Sequence, residues 1–114
     1  MAKPNILIIT ADQMRADAMG FINTEVISPN LDRLAAEGFV FERAYCTSPV
    51  CTPSRASILT GRYPCNTGAW NIGVSVSDSE KTICDWLKTC QYRTVAAGKM
   101  HFRPQMRDDY TNTI

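Results

Sequence analysis

Residues 5–10, Asn-Ile-Leu-Ile-Ile-Thr, make a nearly continuous apolar run that is cut off by Asp12. A short β-rich run without alternation is the pattern of a strand buried on both faces in a parallel sheet. Functional groups then belong at its carboxyl end. Further elements follow along the chain. Ser28-Pro29 opens a helix through Glu37, with Leu31, Leu34 and Ala35 on one face and Gly38 as the stop. Residues 39–45 alternate apolar and polar side chains and read as a second strand. A polar stretch with Pro64, Gly68 and Gly73 reads as a surface loop. Residues 80–90 predict a helix with Ile83, Trp86, Leu87 and Cys90 as a core-facing stripe, and 92–97 a third strand. Strand, helix, strand, helix, helix, strand in this order predicts an α/β sheet with crossover helices.

Twelve basic residues stand against eleven acidic ones, with no basic block and no aromatic stripe between charges. That balance excludes a nucleic-acid or membrane-surface partner. The apolar run at the start is too short for a signal peptide and no later run approaches a membrane span, so a cytoplasmic protein is expected. Cys46, Cys51, Cys65, Cys84 and Cys90 are odd in number and include no Cys-x-x-Cys pair, and there is one histidine. Buried, reduced thiols are expected rather than disulfides or structural zinc.

Three places carry chemistry. In Cys51-Thr52-Pro53-Ser54-Arg55-Ala56-Ser57-Ile58-Leu59-Thr60-Gly61-Arg62, Thr52 can cap a helix, Pro53 suits its first position and Gly61 can end it. Cys51 then faces the helix's positive end with Arg55 about one turn further in, a place for an oxyanion. Asp12, directly after the first strand, can hold a hard cation by oxygen, although such an aspartate alone is more often a cap or turn residue. In Ala97-Gly98-Lys99-Met100-His101-Phe102, an extended segment would point Lys99 and His101 the same way, into one pocket. Solvent exposure is the ordinary reading of such a pair. Asp32 and Arg33 read as solvated helix-face charges, Trp70 and Trp86 as packing, and Asp108 and Asp109 as an exposed acidic pair.

These motifs, in this order, resemble the sulfatase family. The stretch from Cys51 to Arg62 resembles its Cys-x-Pro-Ser-Arg signature with the Leu-Thr-Gly-Arg tail. The run Pro4-Asn5-Ile6-Leu7-Ile8-Ile9-Thr10-Ala11-Asp12-Gln13-Met14-Arg15-Ala16-Asp17 resembles its N-terminal motif, and Gly98-Lys99-Met100-His101 its Gly-Lys-x-His motif. Residues 29–38 and 59–64 support the likeness and are mainly structural. The resemblance implies an alkaline-phosphatase-like α/β fold, of which residues 1–103 are the N-terminal part of the catalytic domain and 104–114 a polar tail.

By the same resemblance Cys51 is converted to formylglycine, the nucleophile, with Arg55 holding it. Asp12 and Cys51 lie on a divalent metal, calcium ahead of manganese or magnesium. Lys99 contacts the sulfate and His101 lies near the leaving-group oxygen, where an imidazole can donate a proton. Gln13 stands where many members have a second aspartate, which removes a negative charge from the metal site and leaves the substrate open to phosphonate or phosphate esters. The family's other metal ligands have no counterpart in these residues, so the metal site and the sheet are both incomplete here and low activity is expected. The implied partners are a small-molecule or carbohydrate sulfate ester, a formylglycine-generating enzyme, and a second copy covering the open sheet edge. A non-enzymatic interaction module would instead keep Cys51 as a thiol.

Overall fold

A computed structural model describes residues 3–101 of the 114. The chain divides into two compact units, Met1–Ala44 and Tyr45–Ile114.

The first unit holds helix α1, Pro29–Glu37, with the bounds the sequence predicts. Proline at the first position is pre-set for the helix and loses no hydrogen bond there. Ser28 receives the Gly20 amide on its Oγ at 2.7 Å and donates to Asp32 Oδ1 at 2.8 Å. The Phe21 amide reaches the same carboxylate oxygen at 3.0 Å. Asp32 is therefore not the solvated face charge its spacing suggests, because it ties the 20–21 turn to the first turn of α1. The fit is close: a Cβ on Gly20 would stand 2.6 Å from Asp32 Oδ2 and 2.8 Å from the Val26 carbonyl. The expected apolar face of α1 has no cover, since Leu31 and Leu34 are both exposed.

The described residues of the second unit form three helices: α2 (Cys51–Thr60), α3 (Pro64–Thr67) and α4 (Ile83–Thr89). Helix α2 packs against α3 and α4. Its buried face is Thr52, Pro53, Ala56 and Ser57, and Thr67 and Ala69 complete the small core. Helix α3 lies in the stretch expected to be loop, with Pro64 opening it and Gly68, at φ 79°, ending it. Helix α4 starts at Ile83 rather than residue 80. Thr82 and Asp85 form a reciprocal capping box that satisfies the orphan amides at that point. Beyond its end Gln91 adopts φ 61°, while the amides of Gln91 and Tyr92 reach the carbonyls of Lys88 and Leu87. That is the Schellman pattern, with glutamine where glycine is usual.

Among the described residues no strand forms, so the strands expected at 5–10, 39–45 and 92–97 are absent there and the sheet expected from them is not confirmed. Leu7 and Ile9 are each 82% exposed. A strand needs a neighbour to take its backbone hydrogen bonds and a layer on each apolar face, and neither is a local property. The period-two pattern survives in residues 92–97, where Tyr92, Thr94 and Ala96 are half-buried and the residues between are exposed. The core of small side chains also leaves larger ones outside. Trp70 and Trp86 are 68% and 64% exposed, and Ile83 is exposed with them, so the packing roles expected for them are not met. The five cysteines form no disulfide among the described residues, but none is buried: Cys51 and Cys84 are half-covered and the others exposed. No helix among the described residues is long and apolar enough to cross a membrane. The expected tail at 104–114, with Asp108 and Asp109, lies outside the described residues.

Candidate active site

Helix α2 carries Cys51 as its first residue, not as the residue ahead of it. Val50 is the N-cap, the Ser54 amide donates to the Val50 carbonyl at 3.1 Å, and Ser48 Oγ receives the Val50 amide at 3.2 Å. Thr52 therefore does not cap; it is buried in the seat of the helix. Pro53 is third rather than first, a position equally free of the need for an intrahelical N–H bond. The consequence for Cys51 is small: it stays in the first turn, beside unpaired backbone amides and the positive end of the helix dipole.

Arg55 lies four residues on, on the same face as Cys51. Its Nη1 donates to the Lys99 carbonyl at 2.6 Å across a separation of 44 residues. The structure thereby brings the Cys51 helix and the Gly-Lys-x-His segment together. The segment is not uniformly extended, however. Gly98 at φ 89° and His101 at φ 58° are both left-handed, so the simple alternation that would aim Lys99 and His101 alike does not run through His101. Lys99 is exposed and His101 half-buried. Among the described residues the imidazole Nδ1 is shielded from water and has no hydrogen-bond partner, as is also true of Ser57 Oγ.

The Leu-Thr-Gly-Arg tail forms the other end of the helix. Thr60 Oγ1 donates to the Ala56 carbonyl at 2.8 Å and accepts from the Arg62 amide at 3.2 Å. Gly61 takes φ 67° and donates to the Ser57 carbonyl at 2.8 Å. This exit aims Arg62 at Glu80, with Nη1 to Oε1 at 2.6 Å. In the sequence Glu80 reads only as the start of a helix, not as a partner of Arg62. The available signal was an arginine held in a fixed helix exit, with two acidic residues, Asp78 and Glu80, before the next helix.

Asp12 is exposed in a turn whose next residue, Gln13, has φ 53°. It belongs to the first unit and Cys51 to the second. Among the described residues no group of three or more His, Cys, Asp or Glu gathers in a way that could hold a metal ion. A hard divalent cation takes six or more oxygen ligands, so these residues alone do not fit one. Asp12 offers a single carboxylate toward such a set.

The family model described as Sulfatase matches residues 4–113. An arylsulfatase of Clostridium perfringens is 45% identical over 105 residues, covering 90% of this chain and 22% of that protein. An ulvan-active sulfatase of Formosa agariphila is 40% identical over 110 residues, with 96% and 22% covered. Human N-acetylgalactosamine-6-sulfatase is 36% identical over 118 residues, with 90% and 23% covered. No solved structure matches the chain. The chain thus spans about a fifth of the length of the curated relatives it matches. With a match over nearly all its residues and relatives at 36–45% identity along most of its length, the chain belongs to the sulfatase family.

Proposed function

We propose that this chain carries the nucleophile and anion-binding groups of a sulfate ester hydrolase, with Cys51 as the formylglycine precursor. The observation that supports it most is the bond from Arg55, one turn beyond Cys51, to the backbone of Lys99. Thiol, guanidinium, ammonium and imidazole then belong to one helix start and one adjoining turn. Formylglycine supplies a hydrated aldehyde oxygen as nucleophile and a second hydroxyl whose deprotonation releases sulfate, an exit that a thiol lacks. The first turn of α2 and Arg55 keep positive potential at the nucleophile. Lys99 neutralises charge on the ester oxygens, and His101 holds the proton that the departing alcohol oxygen takes.

A divalent metal at Asp12, calcium by family likeness, would draw its remaining ligands from beyond the described residues. The same groups would also act on a phosphonate or phosphate ester, a reading that the neutral Gln13 beside Asp12 keeps in view. Profiling sulfate against phosphonate esters separates the two.

The test is direct. In the full-length protein Cys51→Ala should abolish turnover while Cys46→Ala retains most of it, and mass spectrometry of the peptide around residue 51 should show the lowered mass of the aldehyde. Equal losses in the two variants, or an unmodified thiol in active enzyme, would refute the assignment.

A further inference from the structure

We propose that Arg55 is a positioning residue: through its bond to the Lys99 carbonyl it fixes the turn at 98–101 against the helix that bears Cys51. The inference rests on the function proposed above for those residues. The turn contains two left-handed residues, and one of them, His101, is not glycine. A side-chain-bearing residue persists in that region only where its surroundings over-determine it. The surroundings here include a charge-assisted hydrogen bond of 2.6 Å, among the stronger kinds a protein makes. His101 Nδ1, shielded and without a partner among the described residues, does not supply the restraint there.

The guanidinium therefore has work to do besides adding positive charge. It sets where the backbone between Gly98 and His101 lies, and with it the separation of the ammonium and imidazole from Cys51. Lysine at position 55 would keep the charge but lose the planar fork that reaches a carbonyl at a fixed angle.

Hydrogen exchange and kinetics of the full-length protein test this with Arg55→Met and Arg55→Lys. Amides at 99–101 should exchange at least about tenfold faster in Arg55→Met and to a smaller extent in Arg55→Lys, in keeping with a lost charge-assisted bond. Amides at 61–67, which report on α2 and α3, should not change. On a sulfate ester kcat should fall by more than KM rises, since a misplaced acid and ammonium weaken the transition state more than the ground state. Unchanged exchange at 99–101 in both variants, or a rise in KM with kcat preserved, would overturn the proposal and make Arg55 a plain substrate grip. The exchange measurement needs no turnover. Full activity in Cys51→Ala would thus sink the proposed function while the exchange result still decides what holds the turn.

Discussion

The Arg62–Glu80 pair should respond asymmetrically to the loss of either partner. Glu80 is the covered member, with its side chain 10% exposed, whereas that of Arg62 is 52% exposed. Removing the guanidinium leaves a carboxylate in a place that water barely reaches. Removing the carboxylate leaves a guanidinium that is already half in solvent. Exposed pairs contribute about 0–1 kcal/mol, and breaking a fully buried pair costs about 3–5 kcal/mol. A pair with one covered end falls between, so Arg62→Met should cost about 2 kcal/mol and Glu80→Gln about 1 kcal/mol or less. With a urea slope of about 2 kcal/mol per molar, the first variant should move the midpoint by about 1 M and the second by half that or less. Urea unfolding of both variants at neutral pH, followed by circular dichroism, measures this. Midpoint shifts that are equal, or larger for Glu80→Gln, would refute the argument from burial.

At the end of α4, Gln91→Gly should stabilise the chain by about 0.5–1 kcal/mol. Relief of a left-handed side-chain conformation outweighs the entropy gained by the unfolded chain, and a thermal melt in which Gln91→Ala did equally well would contradict this. The Asp85 carboxyl is held below its ordinary range, first by the Thr82 amide and then by the Thr82 hydroxyl. Because the folded state binds that proton more weakly, the contribution of Asp85 is present at neutral pH and fades as pH falls through the depressed value. The gap in urea midpoint between wild type and Asp85→Asn should accordingly close in acid, and a gap that widened would invert the reasoning. For His101→Ala in the full-length enzyme, the rate loss should be about a hundredfold or more on alkyl sulfates and small on a nitrophenyl sulfate, whose phenolate leaves unaided. Equal losses would assign His101 to binding instead.

What the sequence disclosed and what it hid divide along a physical line. Helix α1 could be read to the residue because Ser28-Pro29 and Gly38 act within a few bonds of themselves. The end of α2 at Gly61 was legible for the same reason. Its start was misplaced because proline restricts a helix to its first turn without fixing which residue of that turn it occupies. Helix α3 was hidden by polar composition, although Pro64 and Gly68 bracket it in the usual order. The strands depended on partners distant in sequence, which an apolar run announces but does not supply. For the proposed site, Cys51, Arg55, Lys99 and His101 were singled out by spacing and likeness. The Arg55 bond to a backbone carbonyl could not be, since no side-chain type marks a carbonyl acceptor.

Helix α2 rests on alanine, threonine, serine and proline, with Ala56 and Ala69 wholly enclosed. Such a seat is a hard stop. Where large aliphatic side chains interdigitate, an extra methylene can be absorbed by a change of rotamer, but between an alanine and the backbone facing it there is no spare torsion to turn. A bulkier residue at 56 or 69 would lift the whole rod, and Cys51 and Arg55 ride at one end of it. The placing of the thiol is thus governed by dimensions at positions that carry no functional group, and variants selected for new substrates would be limited there by volume before they were limited by chemistry.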